Sequence, residues 1–285
     1  MTPAPLIDEL RALLARPTVD LARAALVIAR VEYPRLDPDK TMAAIAELGE
    51  RAAERLAPLA GEPLADRVAA LGRFLYKEAG FCGNRGHYTD FRNSLLNAVI
   101  ERRTGIPISL ALVYREVAGR AGIEVFGVSF PGHFLMRIPA GADEETPLIL
   151  DPFDQGRQLD DHDCRALLRR QLGSDEPFSV ALLEPCTSRQ FIARMLNNLK
   201  RTYVEQRSFP QARAVTEMLL AVEPGVGSDL RDRGLLAYHL NDFPTALQDL
   251  ESYLRLRTWD ARDKEERERI VEHINALRHR VAAFN

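Results

Sequence analysis

Two short segments in the middle of the chain carry a histidine and an aspartate at positions typical of a catalytic pair. FPGHFLMRI places His133 directly after a Pro-Gly turn, and LILDPFDQG places Asp151 at the end of the next apolar run. In a Cys-His-Asp site the Asp orients the imidazole, which takes a proton from the nucleophile. The nucleophile would stand in the first turn of a helix, where unpaired N–H groups and the helix dipole lower a thiol pKa. The segment TGIPISLALV begins such a helix with Pro107, so the matching cysteine is missing.

Two other residues are candidates for the nucleophile, and each has a structural alternative. Ser109 lies two residues into the helix, and its hydroxyl either faces the cleft or, as we expect, bonds a free N–H of the first turn. Cys82 lies in a polar loop, where a lone cysteine is more often inert or a small packed residue. The pair of His133 and Asp151 is either a buried, hydrogen-bonded structural pair or a polar anchor with residual acid/base capacity. These four residues are the candidate catalytic set.

The loop FCGNRGHYTDFRNS, residues 81–94, is dense in polar side chains and shows neither helical nor strand periodicity. Asn and Asp in such a loop cap helices and form side-chain turns. The alternative is a pocket in which Asn84, Tyr88 and His133 converge. We therefore take Asn84, Tyr88, Asn93 and His133 as the candidate ligand-binding residues.

Metal and cofactor sites have little support in the sequence. Cys82 with His87, and His162 with Cys164, offer two ligands each and lack the paired spacing of a zinc site. The glycines around residues 80–86 lack the lysine and the strand-to-helix context of a phosphate-binding loop. We expect neither a metal nor a cofactor.

The elements that would hold these residues follow an α+β order. Apolar spacing predicts helices in the first 80 residues, a helix ending near Gly105, and a core helix entered through Pro107 and closed by Gly119 or Gly122. Three strand-like runs then form an antiparallel meander. The predicted helices of the N-terminal region are 21–31, 39–56 and 64–77, and the predicted strands are 123–130, 133–138 and 148–151.

The chain is helical again from about residue 188 and contains an internal repeat. SFPQARA aligns with DFPTALQ at a distance of 34 residues, which is the length of a tetratricopeptide repeat. In that repeat two helices pack antiparallel, and Ala212 and Ala246 suit the place of closest approach, as does Gly234. The alternative is two unrelated helix pairs. The apolar stripe Ile270, Ile274, Leu277 and Val281 predicts a final helix, within 260–285, that caps the stack.

Length and composition indicate two globular domains. The chain has 285 residues, of which 46% are hydrophobic and 28% charged, and we place the domains at 1–185 and 186–285. Lys and Arg number 38 against 41 Asp and Glu, for a net charge of -3, so nucleic acid is not an expected partner. Three sparse cysteines favour reduced thiols, and neither a signal peptide nor an 18-residue apolar run is evident. The expectation is a cytoplasmic protein without a membrane partner.

The runs GNRGHYTDFRNSLLNAVIERRTGIPISLALVYREVAGRAG, GVSFPGHFLMR and LDPFDQG together resemble the SirB-type proteins over roughly residues 20–260. This resemblance implies a papain/transglutaminase-like core with a small antiparallel sheet behind N-terminal helices, followed by all-α tetratricopeptide repeats. Active transglutaminase-like enzymes place Cys at the start of the core helix and His and Asp on following strands. By this resemblance His133 and Asp151 match the His and Asp, and the Cys position falls on or next to Pro107. Because GIP belongs to the SirB-type pattern, ordinary cysteine chemistry is in doubt.

These observations predict a non-catalytic adaptor or regulator that binds a protein or peptide through the repeats, with Asn198, Arg201 and Tyr203 as candidate contacts. The alternative is an amide hydrolase or acyl transferase that uses His133 and Asp151 with Ser109 or Cys82 as nucleophile. A third hypothesis, a regulatory partner of another enzyme, rests only on the family name.

Overall fold

The computed structural model describes residues 4–141, 146–173, 177–256 and 263–283. The chain divides into two compact units, one formed by Leu13–Met195 and one formed by Leu196–Asn285 with Met1–Ala12. The fold is mostly helical with a small antiparallel sheet and a helical C-terminal region, which confirms the α+β prediction. Within the described ranges no helix is both long and apolar enough to cross a bilayer.

The first half of the chain forms helices close to the predicted positions. Asp20 and Asp37 cap the second and third helices by accepting the N–H groups of Arg23 and Asp39. The fourth helix continues as a π-helical turn over Phe74–Glu78. The helices before the sheet are α1 (Ala4–Leu14), α2 (Leu21–Ala29), α3 (Pro38–Leu56), α4 (Leu64–Arg73), α5 (Leu96–Arg102) and α6 (Pro107–Arg120).

Helix α6 is the core helix of the larger unit. Ten of its residues, from Pro107 to Ala118, are buried, so it is covered on nearly every side. Pro107 stands in its first turn, where the missing N–H costs no hydrogen bond. Gly122, with φ of 74°, lies just beyond its end, in agreement with one of the two predicted stops.

The sheet is a meander of four antiparallel strands in chain order. Its strands are β3 (Phe126–Val128), β4 (Leu135–Ile138), β5 (Leu148–Asp151) and β6 (Arg157–Leu159), and a separate parallel pair consists of β1 (Cys82–Gly83) and β2 (Thr104–Gly105). Met136 pairs with Leu150, which brings the start of β4 beside the end of β5. The three predicted strands are present, two of them shorter than predicted. Strand β6 was missed because two of its three residues are exposed polar side chains.

The C-terminal region consists of helices at the predicted repeat spacing. The remaining helices are α7 (Asp161–Leu172), α8 (Ser188–Glu205), α9 (Phe209–Val222), α10 (Gly227–His239), α11 (Phe243–Leu256) and α12 (Lys264–Ala283). Ala212 and Ala246 are fully buried. A Cβ on Gly234 would lie 3.0 Å from Leu250 and 3.1 Å from Asp249, so α10 and α11 approach closely there. This agrees with the role predicted for Gly234.

Helix α12 covers the apolar side of α11. Ile270, Ile274 and Leu277 are buried in one cluster with Leu250 and Tyr253. The fourth residue of the predicted stripe, Val281, lies outside the residues whose side chains are described. The remaining surface of α12 is charged, as expected for a solvated helix face.

Candidate functional site

The structure brings His133 and Asp151 together. His133 Nε2 lies 3.0 Å from Asp151 Oδ1, and the two side chains are 9% and 11% exposed. Asp151 ends β5, and His133 lies two residues before the first residue of the neighbouring strand β4. Because β4 and β5 are adjacent and antiparallel, the pair follows from the meander itself.

Backbone groups hold the Asp151 carboxylate in place. Its Oδ1 also accepts the N–H groups of Phe153 at 2.8 Å and Asp154 at 3.3 Å, so Asp151 caps the short 3-10 helix Pro152–Asp154. Burial favours the neutral acid, but the hydrogen bond and charge of His133 and then these two N–H groups outweigh it and lower the Asp151 pKa. An ionised carboxylate accepts the Nε2 proton and leaves Nδ1 as the ring atom that can take another.

The Ser109 hydroxyl serves the first turn of α6. It is fully buried, donates to the carbonyl oxygen of Asn93 at 2.6 Å and accepts the N–H of Ile106 at 3.0 Å. The Ile106 carbonyl oxygen is 3.1 Å away. Ser109 is the third residue of α6, and its hydroxyl accepts the N–H of the N-cap residue Ile106, as the third residue does in a capping box. Within the described part of the chain, the hydrogen bonds of Ser109 do not include His133.

Cys82 is exposed on β1. Its Sγ lies 3.6 Å from Thr104 Oγ1, and its N–H donates to the Arg103 carbonyl oxygen at 2.9 Å. The other two cysteines lie in less accessible places. Burial raises the pKa of Cys164 and of Cys186 to about 11, so neither is a thiolate near neutral pH. Cys82 is therefore the thiol most open to reagents among the three cysteines, all of which are described.

The polar loop before α5 is held together by its own side chains. Asn84 donates to Asn93 Oδ1 at 3.1 Å and accepts the N–H of His87 at 3.0 Å. Asn93 is fully buried and donates to the carbonyl oxygens of His87 and Tyr88 at 2.8 and 3.3 Å. The two asparagines thus have the structural role weighed in the sequence, since their amides close the loop 84–93.

Phe153 is the residue of this site that the sequence did not single out. The ring of Tyr88 meets it edge-on at a centroid distance of 5.8 Å, and the His133 ring does so at 6.4 Å. The Arg85 guanidinium lies 5.0 Å above its centroid. A Cβ on Gly83 would lie 2.6 Å from the same ring, so only glycine leaves room for it. Tyr88 and His133 therefore meet through Phe153, which joins the polar loop to the His-Asp pair.

Asp160, His162 and Asp163 form a group of polar side chains at the start of α7, just after β6. Ligand atoms of Asp160, His162 and Asp163 lie within 4.8 Å of one another. Asp160 accepts the N–H of Asp163 at 2.7 Å as the N-cap of α7, and Arg157 bonds Asp163 at 3.1 Å. That Arg157 bond is the main cause of the lowered Asp163 pKa. Capping and ion pairing account for Asp160 and Asp163, and His162 is exposed beside them.

Comparison with known proteins gives two family matches and several relatives. Residues 39–197 match the Transglutaminase-like superfamily, and residues 199–277 match the Tetratricopeptide repeat family. A UPF0162 protein of Xylella fastidiosa is 40% identical over 242 residues, 84% of either chain. Protein SirB1 of Salmonella typhimurium is 28% identical over 70% of this chain and 76% of its own. F-box only protein 21 of Homo sapiens is 32% identical over 61% of this chain and 28% of its own.

Proposed function

The chain belongs to the transglutaminase-like superfamily and to the family of the UPF0162 and SirB1 proteins, and from this premise we propose that it is a non-catalytic adaptor or regulator. Its repeat region binds a protein or peptide, and its transglutaminase-like unit serves as a second recognition module. The order of the two matched regions, a transglutaminase-like region followed by tetratricopeptide repeats, supports this proposal.

The bonding of the Ser109 hydroxyl is the observation that carries the non-catalytic part of the proposal. A nucleophilic serine needs its proton in a hydrogen bond to the base. The Ser109 proton instead goes to the Asn93 carbonyl oxygen at 2.6 Å. Pro107, which stands at the start of α6, has no nucleophilic atom. In an adaptor, the hydrogen bond between His133 and Asp151 is structural: it connects the residues that precede β4 and the 3-10 helix Pro152–Asp154.

The binding part of the proposal rests on a row of charged groups across alternate helices. Lys200 on α8 lies 2.7 Å from Asp229 and 2.6 Å from Asp232, both on α10. Arg231 on α10 pairs with Glu266 on α12. These contacts align α8, α10 and α12, the first helices of successive pairs, whose common side is the usual binding surface of a helical repeat stack.

Exposed residues on α8 flank this row and are open to a partner. Asn197 lies three residues before Lys200 and Val204 four residues after it, so all three share one helix face. Val204 is 44% exposed, so its apolar side chain is accessible to a partner. Tyr203, expected at the partner surface, is only 1% exposed and belongs to the core. We therefore assign the partner surface to the face of Asn197, Lys200 and Val204.

The alternative function is amide hydrolysis or acyl transfer at His133. It is favoured by the geometry of the pair, since Asp151 is ionised, fixed by backbone N–H groups and bonded to Nε2. In that case His133 Nδ1 would take the proton of Cys82, or of Ser109 after its cap bonds break, as the oxygen or sulfur attacks a carbonyl. Protonated His133 would then return that proton to the leaving group.

The rate at which iodoacetamide alkylates Cys82 separates the two functions. If the protein is an adaptor, we expect Cys82 to be alkylated at the slow rate of an ordinary thiol, and His133→Ala should change that rate by less than about twofold. If the protein is an enzyme, we expect fast alkylation of Cys82 near neutral pH, and His133→Ala should lower that rate about tenfold or more. A Cys82→Ser variant measures the background from Cys164 and Cys186, whose raised pKa of about 11 keeps it low.

Photo-crosslinking tests the partner surface. A benzoylphenylalanine is placed at Val204, and in a matched control at Val180, an exposed valine of the other unit. The proposal predicts a discrete protein crosslinked at position 204 and competed by unlabelled wild type but not by a Val204→Glu variant. Equal crosslinking at the two positions would contradict the assigned surface.

A further inference from the structure

A cavity of about 810 Å³ lies in the larger unit, lined by residues other than those of the His133 site. Its walls come from the segment 32–37 between α2 and α3, the first turns of α3, and α5 with the residue that follows it. This volume is within the usual range for small-molecule sites, about 300–1,000 Å³. The cavity is therefore large enough for a ligand of dipeptide size.

Two of the cavity-lining residues, one on α5 and one just after it, each carry a buried side-chain atom that has no hydrogen-bond partner among the described residues. The two atoms are Asn97 Oδ1 and Arg103 Nη1, and both residues line the cavity. Buried polar groups are nearly always bonded, because an unmade bond costs the whole desolvation of the group. A buried acceptor and a buried donor beside one cavity match a ligand that carries an N–H and an oxygen acceptor.

The environment of Arg103 also favours an anion. Its backbone is left-handed, with φ of 57°, at the C-cap of α5, a conformation that is unfavourable for a residue with a Cβ. Its guanidinium stacks 4.8 Å from the Phe81 centroid, and no ion pair joins it to another residue of the described chain. Burial and then the nearby Arg51 lower its pKa, against the opposite effect of Glu47. A bound carboxylate would supply the counter-charge that Arg103 lacks.

The other lining residues restrict the anion to a single charge. Glu32, Asp37 and Glu101 balance Arg35, Lys40 and Arg103, so the wall has no net positive charge for a polyanion. Tyr33, Leu36 and Ile100 add an apolar surface. Such a wall accepts one carboxylate beside an apolar group, and its acidic residues repel a phosphate, which carries more than one negative charge near neutral pH, more strongly than a singly charged carboxylate.

We propose that this cavity binds a short acidic peptide segment, in which Arg103 donates to a carboxylate and Asn97 accepts a neighbouring peptide N–H. The apolar wall takes the side chain next to the acidic residue. This site is separate from the partner surface on α8 and makes the transglutaminase-like unit a peptide-recognition module in its own right.

Isothermal titration of the full chain with acetyl-Leu-Glu-amide tests the site. We expect binding that acetyl-Leu-Gln-amide weakens about tenfold or more, because a bond to a charged group is lost. Glutarate, which lacks the N–H, and N-acetylglutamate, which lacks the leucine, should both bind more weakly than the dipeptide. Inorganic phosphate should not compete.

Variants locate the binding to the cavity. Arg103→Asn keeps a residue that tolerates the left-handed backbone and should weaken the dipeptide about tenfold or more. Asn97→Leu should weaken it as well, whereas Arg16→Gln, an exposed arginine outside the cavity, should not. Melting temperatures of the two cavity variants at or above that of wild type would show that they fold and that the unpartnered groups were costly.

Three results would overturn the proposal. The first is a dipeptide affinity unchanged by Arg103→Asn in a folded variant. The second is phosphate that binds as tightly as the dipeptide, which would replace the carboxylate with a different anion. The third is N-acetylglutamate that binds as tightly as the dipeptide, which would exclude a peptide as the preferred occupant.

Discussion

Replacement of Ser109 by alanine is the sharpest test of how the start of α6 is built. The change removes the donor to Asn93 and the acceptor for the Ile106 N–H, both of them buried groups. A longer bond of 3.4 Å from Ile106 N–H to Asn93 remains and limits the loss. Each of these two hydrogen bonds contributes about 1 kcal/mol net. We expect Ser109→Ala to lower the free energy of unfolding by about 2 kcal/mol.

Thermal and urea unfolding followed by circular dichroism measures this effect. For a unit of this size 1 kcal/mol corresponds to 2–4 °C, so the melting temperature should fall by about 4–8 °C. The matched control is Ser179→Ala, since Ser179 caps a short helix from an exposed position by accepting the Ala181 N–H at 3.3 Å. That control should cost about 0.5 kcal/mol. An unchanged melting temperature in Ser109→Ala would refute the capping role, and the Ser109 hydroxyl would again be a candidate nucleophile.

Three further predictions concern other contacts. The pKa of Asp151 is lower in the folded than in the unfolded protein, so its ionised carboxylate stabilises the fold at pH values above the unfolded pKa of about 3.9. This stability is lost as the pH falls through the folded pKa. The urea midpoint of wild type should therefore drop more below about pH 4 than that of Asp151→Asn. Gly234→Val should overpack against Leu250 and cost about 1–3 kcal/mol, seen as faster amide exchange in α10 and α11. Lys200→Met should cost about 3 kcal/mol in urea unfolding, because Asp229, 3% exposed, keeps a charge without its partner.

Periodic apolar spacing and proline position were enough to predict the main elements. The start of α6 at Pro107 and the 34-residue offset between the starts of α9 and α11 could both be seen in the sequence. The same spacing also shows why Tyr203 is not a partner contact. It follows Leu196 and Leu199 at helical intervals, and all three are buried on one face of α8.

The candidate site was predictable only where chain order fixes the geometry. His133 and Asp151 meet because adjacent antiparallel strands follow one another, a pattern visible from the two strand runs. Phe153 carries no such signal, because a single aromatic in a turn has no period, and its position depends on the missing Cβ of Gly83. The cavity beside Asn97 and Arg103 depends on packing between α5 and residues distant in sequence, which no local spacing encodes.

The most direct test of an adaptor without catalytic activity compares the partner affinity of two variants, one altered at the candidate catalytic residues and one altered at the proposed partner surface. The double variant Cys82→Ser with His133→Gln removes the exposed thiol and the ring that would activate it. Val204→Glu alters only the proposed partner surface on α8. Affinity is measured for the protein that crosslinks at position 204. The proposal predicts a dissociation constant within about twofold of wild type for the double variant and a loss of about tenfold or more for Val204→Glu. Weakened binding by the double variant, with Val204→Glu unchanged, would contradict it.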